Sequence, residues 1–365
     1  MSPNMVFHTP LPLNPAASAA SGIRPLRMRR AFEELGYTVW TVAGYARERA
    51  VAMRDVERAL ARGERFDFCY SESSTMPMTM TDPHHLPLHP LLDRRFFRKL
   101  RAAGTPVGHF LRDIFWRFPE YREAVRFPKR EAALAAYRFD LATLRRDVDV
   151  VFLPSVPMAR YLDLGDTRVE ALPPGHDDGG PFPGPDDGVR LFYVGGIGAH
   201  YRLQGLFEGV ATAAAEGVDV SLTVCTRPEL WAAEEPTYRR FESPAIRVVH
   251  ASGAELEEHY RAANVGALFV EPDPYWGFAV PVKLYEYLGA GKPIIAAGGS
   301  LTGELVEAGG WGWAPPYDVP ALVALLRRLA EDPDERRRAA ARVAQDRAAH
   351  SWRGRAEQAA RALTS

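Results

Sequence analysis

Lys283 and Glu286 stand three residues apart in the stretch Val280-Pro-Val-Lys-Leu-Tyr-Glu-Tyr-Leu-Gly-Ala-Gly-Lys-Pro-Ile-Ile-Ala296. Pro281 and Val282 suit a first helical turn, where the missing proline donor costs nothing. The spacing then puts the amine and the carboxylate on neighbouring faces of one short helix. Gly291 closes that helix and Pro293 starts the next strand. A carboxylate so placed can accept two ribose hydroxyls, and an amine can neutralise a departing phosphate. A surface ion pair on an amphipathic helix fits the same spacing.

A second constellation is Leu191-Phe-Tyr-Val-Gly-Gly-Ile-Gly198, a strand entering a glycine turn, followed by Tyr201 and Arg202. Glycines let backbone N–H groups approach a phosphate, and a following helix N-terminus adds favourable field. Arg202 beside the turn can clamp phosphate oxygens with its planar fork. Gly196, Ile197, Gly198 and Arg202 are therefore diphosphate candidates. The turn is not a dinucleotide fingerprint, because Tyr201 stands where the third glycine belongs. Thr226-Arg227-Pro228-Glu229 follows a strand and flanks a nucleobase or makes a simple turn. His84, His85 and His89 lack the partnered Cys or carboxylate spacing of a zinc site, so no metal ligand is assigned.

The elements that must hold these residues alternate between apolar strand-like runs and helical stretches, the pattern of parallel sheets covered by helices. Strands are expected at Met5–His8, Thr38–Val42, Phe66–Tyr70, Pro106–Phe110 and Val148–Leu153. After the Pro/Gly/Asp-rich stretch 173–188, the expected linker, they resume at Arg190–Val194, Val220–Thr226, Ile246–His250, Val265–Val270 and Pro293–Ala297. Helices fit Leu26–Leu35, Leu203–Glu216, Leu256–Ala263, Val282–Ala290, Val319–Glu331 and the chain from Pro333. A last helix starts near Trp352, and Ser71–Arg95 reads as a long functional loop. The fold class is thus α/β, with two doubly wound Rossmann-like domains facing a cleft: residues 1–180, residues 188–350, and a helix at 351–365 returning to the first.

Composition narrows the function. At 365 residues, 47% hydrophobic and 25% charged, the chain can bury two cores. Its two cysteines, Cys69 and Cys225, argue for a reducing compartment. No signal-peptide pattern opens the sequence and no apolar run nears the ~18 residues of a spanning helix, so a cytoplasmic location is expected. Net charge is −1, split as +6 over residues 1–172 and −7 over the rest. That first half suits an anionic partner or membrane surface, with Arg27–Arg30 and Arg94–Arg101 as candidate contacts, and is too weakly basic for nucleic acid.

The 280–296 block resembles the nucleotide-sugar site of retaining GT-B glycosyltransferases of the family-4 type, and is similar to the bacterial aminodeoxysugar (fucosaminyl) transferase branch. Gly196-Ile-Gly198 with Gln204-Gly-Leu206 resembles that branch's glycine turn and helix. Arg112-Asp113-Ile-Phe-Trp116 resembles its R-D-x-W element, and Ser351-Trp352 the pair opening the family's last helix. The resemblance implies a retaining, metal-independent transfer from a nucleoside-diphosphate sugar, with no further cofactor, to a saccharide or lipid-linked acceptor in cell-surface glycan synthesis. It places ribose on Glu286 and diphosphate on the Gly196 turn with Arg202 and Lys283. His109, Arg112 and Asp113 would orient sugar or acceptor, and Ser21-Gly-Ile-Arg24 is a further first-domain candidate. The family's Glu-x7-Glu pattern has Phe278 in place of its first, sugar-facing glutamate. A silent sugar-nucleotide-binding subunit and a GT-B epimerase are the alternative functions.

Overall fold

The computed structural model describes residues 3–17, 20–198, 201–273 and 277–365. The chain forms two compact units, Met1–Pro174 with Trp352–Ser365, and Gly175–Ser351. In the first, β1 (Asn4–Thr9), α1 (Ala20–Glu34), β2 (Thr38–Ala43), α2 (Ala46–Ala61), β3 (Phe68–Glu72), α3 (Leu92–Ala102), β4 (Val107–Phe110), α4 (Pro119–Ala124), α5 (Lys129–Asp147), β5 (Val150–Leu153) and β6 (Arg168–Ala171) follow one another. Its sheet is parallel throughout, in the order β2-β1-β3-β4-β5-β6.

The second unit runs β7 (Val189–Val194), α6 (Gln204–Ala215), β8 (Val220–Cys225), α7 (Pro228–Tyr238), β9 (Ile246–Val249), α8 (Leu256–Ala262), β10 (Val265–Leu268), α9 (Val282–Gly289), β11 (Ile294–Ala296), α10 (Leu301–Gly309), β12 (Gly312–Trp313), α11 (Val319–Glu331) and α12 (Pro333–Asp346). Its parallel order is β12-β11-β10-β7-β8-β9. The chain leaves β7 toward β8 on one side and returns to β10 on the other. Such a reversal opens a crevice at the strands' C-terminal ends, the usual ligand position in an open α/β sheet. The reversal in the first unit falls between β1 and β3.

Burial explains the pattern. Strands covered on both faces read as continuous apolar runs, and β4, β5 and β10 are buried at every residue. The first core joins Phe7, Phe32, Phe68, Tyr70 and Phe152 to Ala356, Ala359 and Leu363 of α13 (Trp352–Thr364). Small residues let α13 sit close: a Cβ on Gly108 would lie 2.9 Å from the Leu363 methyls.

Several sequence expectations need correction. α1 begins six residues before Leu26, with Pro25 inside it. Gly22–Arg24 is therefore helix rather than loop, and the Ser21 side chain lies outside the described residues. The expected loop from Ser71 includes the end of β3, a 3₁₀ turn at Met78–Met80 and the start of α3. The stretch 173–188 is no free linker from Gly175 onward. His176 is buried, with its ring nitrogens on the Asp177 and Arg347 carbonyls, and Lys292 Nζ donates to the Phe182 and Ala263 carbonyls. Gly180 and Gly184 lie against the backbone of Gly289 and Ala263, where a Cβ would collide. Its glycines serve close packing, which composition alone reads as flexibility.

Candidate functional site

The crevice of the second unit is built from three loops. β7 runs into Gly195, whose φ of +140° is open chiefly to glycine. A Cβ there would lie 1.9 Å from Lys283 Cε, so the missing side chain is the space that Lys283 occupies. Gly198 and Tyr201 then close a tight turn by reciprocal backbone hydrogen bonds. From β10 the chain reaches Pro281, the N-cap of α9, so Lys283 falls in the first turn of that helix. From β11, Gly298-Gly299-Ser300 leads into α10, where Ser300 accepts from the Gly303 amide. Tyr201, Pro281, Ser300 and Thr302 face one small pocket there.

Lys283 is 9% exposed. Its Nζ lies 3.5 Å from the Tyr201 ring centre, 5.1 Å from that of Tyr193, and donates to Tyr193 Oη at 3.2 Å. Among the described residues no carboxylate lies within ion-pair distance of it. Burial pulls the ammonium down to about 7, with Glu286 acting the other way. The partial positive charge of the α9 N-terminus is a further unfavourable neighbour for a cation. Two aromatic faces compensate only in part, at about 0.5–2 kcal/mol each. An anion placed here would offset both the burial and the helix-end penalty.

Glu286 is exposed on α9, one turn from Lys283. Arg202 pairs with Glu271, Nε to Oε2 at 3.3 Å, both side chains partly exposed. Its position is thus fixed by the loop after β10 as well as by the glycine turn. The α6 N-terminus has its own partners, since the Leu203 and Gly205 amides donate to Tyr238 and Tyr317. In the glycine turn, the Gly195 amide donates to the Cys225 carbonyl and the Gly198 amide to that of Tyr201, whereas among the described residues the Gly196 and Ile197 amides have no backbone acceptor. Thr226, at the end of β8, holds a buried Oγ1 without a hydrogen-bond partner among the described residues. Arg227 and Pro228 are the N-cap and first residue of α7, not a free turn. Phe278 is buried.

In the first unit the strand ends carry two polar chains. Arg49 grips Asp93 with Nε and Nη2 at 2.9 and 3.0 Å. Asp93 meets His8 Nε2 at 2.9 Å, His8 Nδ1 meets Ser71 Oγ at 2.7 Å, and that hydroxyl meets His109 Nδ1 at 2.9 Å. Burial alone would raise Asp93, but Arg49 and the His8 hydrogen bond outweigh it and hold the carboxyl at about 2. Burial also keeps His8 below its ordinary value and His109 down at about 3. Neutral His8 thus donates from Nε2 to the carboxylate and accepts the Ser71 proton at Nδ1. Ser71 can then only accept from His109 Nδ1–H, which leaves Nε2 of His109 as an acceptor.

The other chain centres on Glu72, fully buried. It accepts from Arg24 Nε at 3.1 Å, Tyr70 Oη at 2.9 Å and Arg112 Nη2 at 3.2 Å. Asp113 accepts from the Ile114 and Phe115 amides, and its carboxyl is raised by burial against those two bonds. The structure thus brings Gly196, Ile197, Gly198, Pro281, Val282 and Lys283 together in one unit, and His109, Arg112 and Asp113 together in the other. Sequence reasoning passed over Gly195, Ser300 and Glu72. A strand followed by Gly-Gly-Ser and a helix was the available signal for Ser300.

The surface candidates are mostly neutralised. Arg94 and Arg98 meet Asp147, Lys99 meets Glu57 and Arg101 meets Asp149. Among the described residues no group of three metal-ligating side chains forms, and no helix is long and apolar enough to cross a membrane.

Comparisons with known proteins agree with this architecture. Residues 229–361 match a family profile described as glycosyl transferase-like. Anabaena HepE, solved with UDP, superposes with a TM-score of 0.64 at 13% identity, covering 99% of each chain. HepE with UDP-glucose gives 0.59 at 14%, again over 99% of each. WaaG, a glycosyltransferase involved in lipopolysaccharide biosynthesis, gives 0.55 at 13% over 99% of each. No curated protein sequence matches the chain. Its fold is the α/β, GT-B class, with a glycosyl transferase-like segment in the second unit.

Proposed function

We propose that the chain is a glycosyltransferase that takes a sugar from a nucleoside diphosphate and passes it to a saccharide or lipid-linked acceptor. Retention of anomeric configuration, independence from metal and a place in cell-surface glycan synthesis belong to the same reading. Its main support is Lys283, a buried ammonium at a helix N-terminus beside a glycine turn, without a carboxylate within ion-pair distance among the described residues. In this mechanism Lys283 and the Gly196–Gly198 turn, through its Gly196 and Ile197 amides, bind the diphosphate, and Glu286 takes the ribose hydroxyls. Pro281 and Val282 present the start of α9, Thr226 flanks the base, and Arg202 adds a second cation. The bond between the anomeric carbon and the phosphate oxygen breaks with its electron pair on the diphosphate. The acceptor oxygen bonds that carbon from the same face, and its proton leaves on the released phosphate. His109, Arg112 and Asp113 orient sugar or acceptor. Positioning and charge stabilisation supply the rate, with no protein nucleophile.

Binding without transfer is a second reading, favoured by buried Phe278 in place of a sugar-facing glutamate. Contact with the inner face of a membrane would fall to Leu86, Leu88 and Leu91, which are exposed ahead of basic α3. UDP, bound by HepE, is the first nucleotide to test, followed by GDP and dTDP in calorimetric titration. Glu286→Ala should weaken the preferred nucleotide about 10- to 100-fold, the worth of charged hydrogen bonds, with the melting point unchanged. Near-normal affinity for every nucleoside diphosphate would refute the ribose role. Transfer or donor hydrolysis by the purified chain would remove the binding-only reading.

A further inference from the structure

The first unit also contains a narrow pocket whose wall includes His109 and Asp113, the residues assigned above to orienting sugar or acceptor. Ser73, Met76, Met78, Leu111 and Leu144 also wall it, as do Asp140 on α5 and Trp116, two polar groups to which the mechanism gives no role. Both polar groups are buried and incompletely satisfied. Asp140 Oδ2 accepts from the Met78 amide at 2.8 Å, but Oδ1 has no partner among the described residues. Trp116 is 8% exposed, stacks on Tyr137 at 4.8 Å, and its Nε1–H likewise finds no partner there. A buried polar group left unpaired forfeits its hydration with nothing in return, so two lining one pocket point to a ligand atom that serves both.

The size of the pocket selects the ligand. Its open volume is about 20 Å³, room for one oxygen-sized group and not for a ring. Methionine and leucine walls suit a methylene behind that oxygen. A ring hydroxyl could enter only with its ring, whereas a primary hydroxyl extends on its own carbon.

We propose that this pocket is a hydroxyl subsite that takes the primary-alcohol arm of a saccharide, with Trp116 Nε1–H donating to the oxygen and Asp140 pairing with it on the other side. Burial raises the Asp140 carboxyl to about 8, so at neutral pH it keeps a proton to share with the ligand oxygen. The choice of a saccharide over another alcohol rests on the glycosyl-transfer reading; the hydroxyl chemistry does not. Donor sugar and acceptor sugar would present the same group, and separate ligands distinguish them.

The test follows the Trp116 indole N–H resonance of the ¹⁵N-labelled full chain, assigned with Trp116→Phe. Methyl glucoside, galactoside and mannoside are titrated, each beside its 6-deoxy analogue, then UDP-glucose beside UDP alone. The expected result is a saturable shift with at least one parent sugar, weakened tenfold or more in its 6-deoxy analogue. Asp140→Asn, which can still donate and accept, should keep the shift within a few-fold, and Asp140→Leu should abolish it. A shift with the glycosides marks an acceptor arm, and a shift with UDP-glucose but not UDP marks a donor arm. A resonance unmoved by every sugar, or moved equally by the 6-deoxy compounds, overturns the subsite and leaves the pocket to solvent. UDP binding by calorimetry on the same sample reports on the second unit separately, so the two readings fail independently.

Discussion

The strand ends of the two units treat buried charge in opposite ways. In the first, the buried guanidiniums have carboxylate counterparts: Arg49 has Asp93, and Arg24 and Arg112 share Glu72. In the second, Lys283 lies against two tyrosines and a helix N-terminus, with no carboxylate in ion-pair range among the described residues. A fully paired network holds its shape and orients what it touches. A lone buried cation costs stability in the free protein and returns that cost when an anion arrives. The difference separates residues that position from a residue that binds.

Substitution should break the comparison most sharply. Glu72→Ala leaves two buried guanidiniums without their shared carboxylate and should cost about 3–5 kcal/mol in urea unfolding. Lys283→Met should cost less than about 1 kcal/mol, or stabilise, while turnover falls roughly 10²- to 10³-fold. The advantage of Lys283→Met should grow as pH falls from about 10 toward 7. Its folded pKa lies below the unfolded value, so the unfolded chain gains the proton first in that range. Equal stability losses in the two variants would erase the distinction drawn here.

Acid titration acts on the paired network. With Asp93 held at about 2 in the fold, its contribution is present above its unfolded pKa and is lost as pH falls through about 2. The stability difference between wild type and Asp93→Asn should shrink by about 2 kcal/mol between pH 5 and pH 2. A flat difference would show that Arg49 does not hold the carboxylate.

Gly195→Ala sharpens the other side. Its Cβ would occupy the place of Lys283 Cε, so the ammonium must move. About 1–3 kcal/mol of overpacking is expected, with nucleotide affinity reduced tenfold or more. Unaltered affinity would mean that Lys283 does not act from this position. Arg202→Ala carries the smallest stability effect, under about 1 kcal/mol for a half-exposed pair with Glu271. Turnover and diphosphate affinity should fall together, and unchanged kinetics would end its phosphate assignment.

Local pattern made much of this molecule legible. Alternating strands and helices announced the α/β class because strands covered on both faces must be apolar throughout. The α9 helix was readable from Pro281 to Gly291, since its start, stop and polar residues lie within one short segment. Failures came where local signals mislead. Pro25 and Pro236 lie inside helices that packing sustains, and the glycines of 173–188 mark close contact instead of slack.

The sequence by itself determined the two sheets, the glycine turn and the lysine-bearing helix, because each depends on neighbours a few residues away. Tertiary structure decided that Gly195 makes room for Lys283, 88 positions later, and that Ser71 links His8 to His109 across the register of β1, β3 and β4. It also decided which charges are paired. The energy of a buried charge depends on what surrounds it in space, and chain order does not record those surroundings.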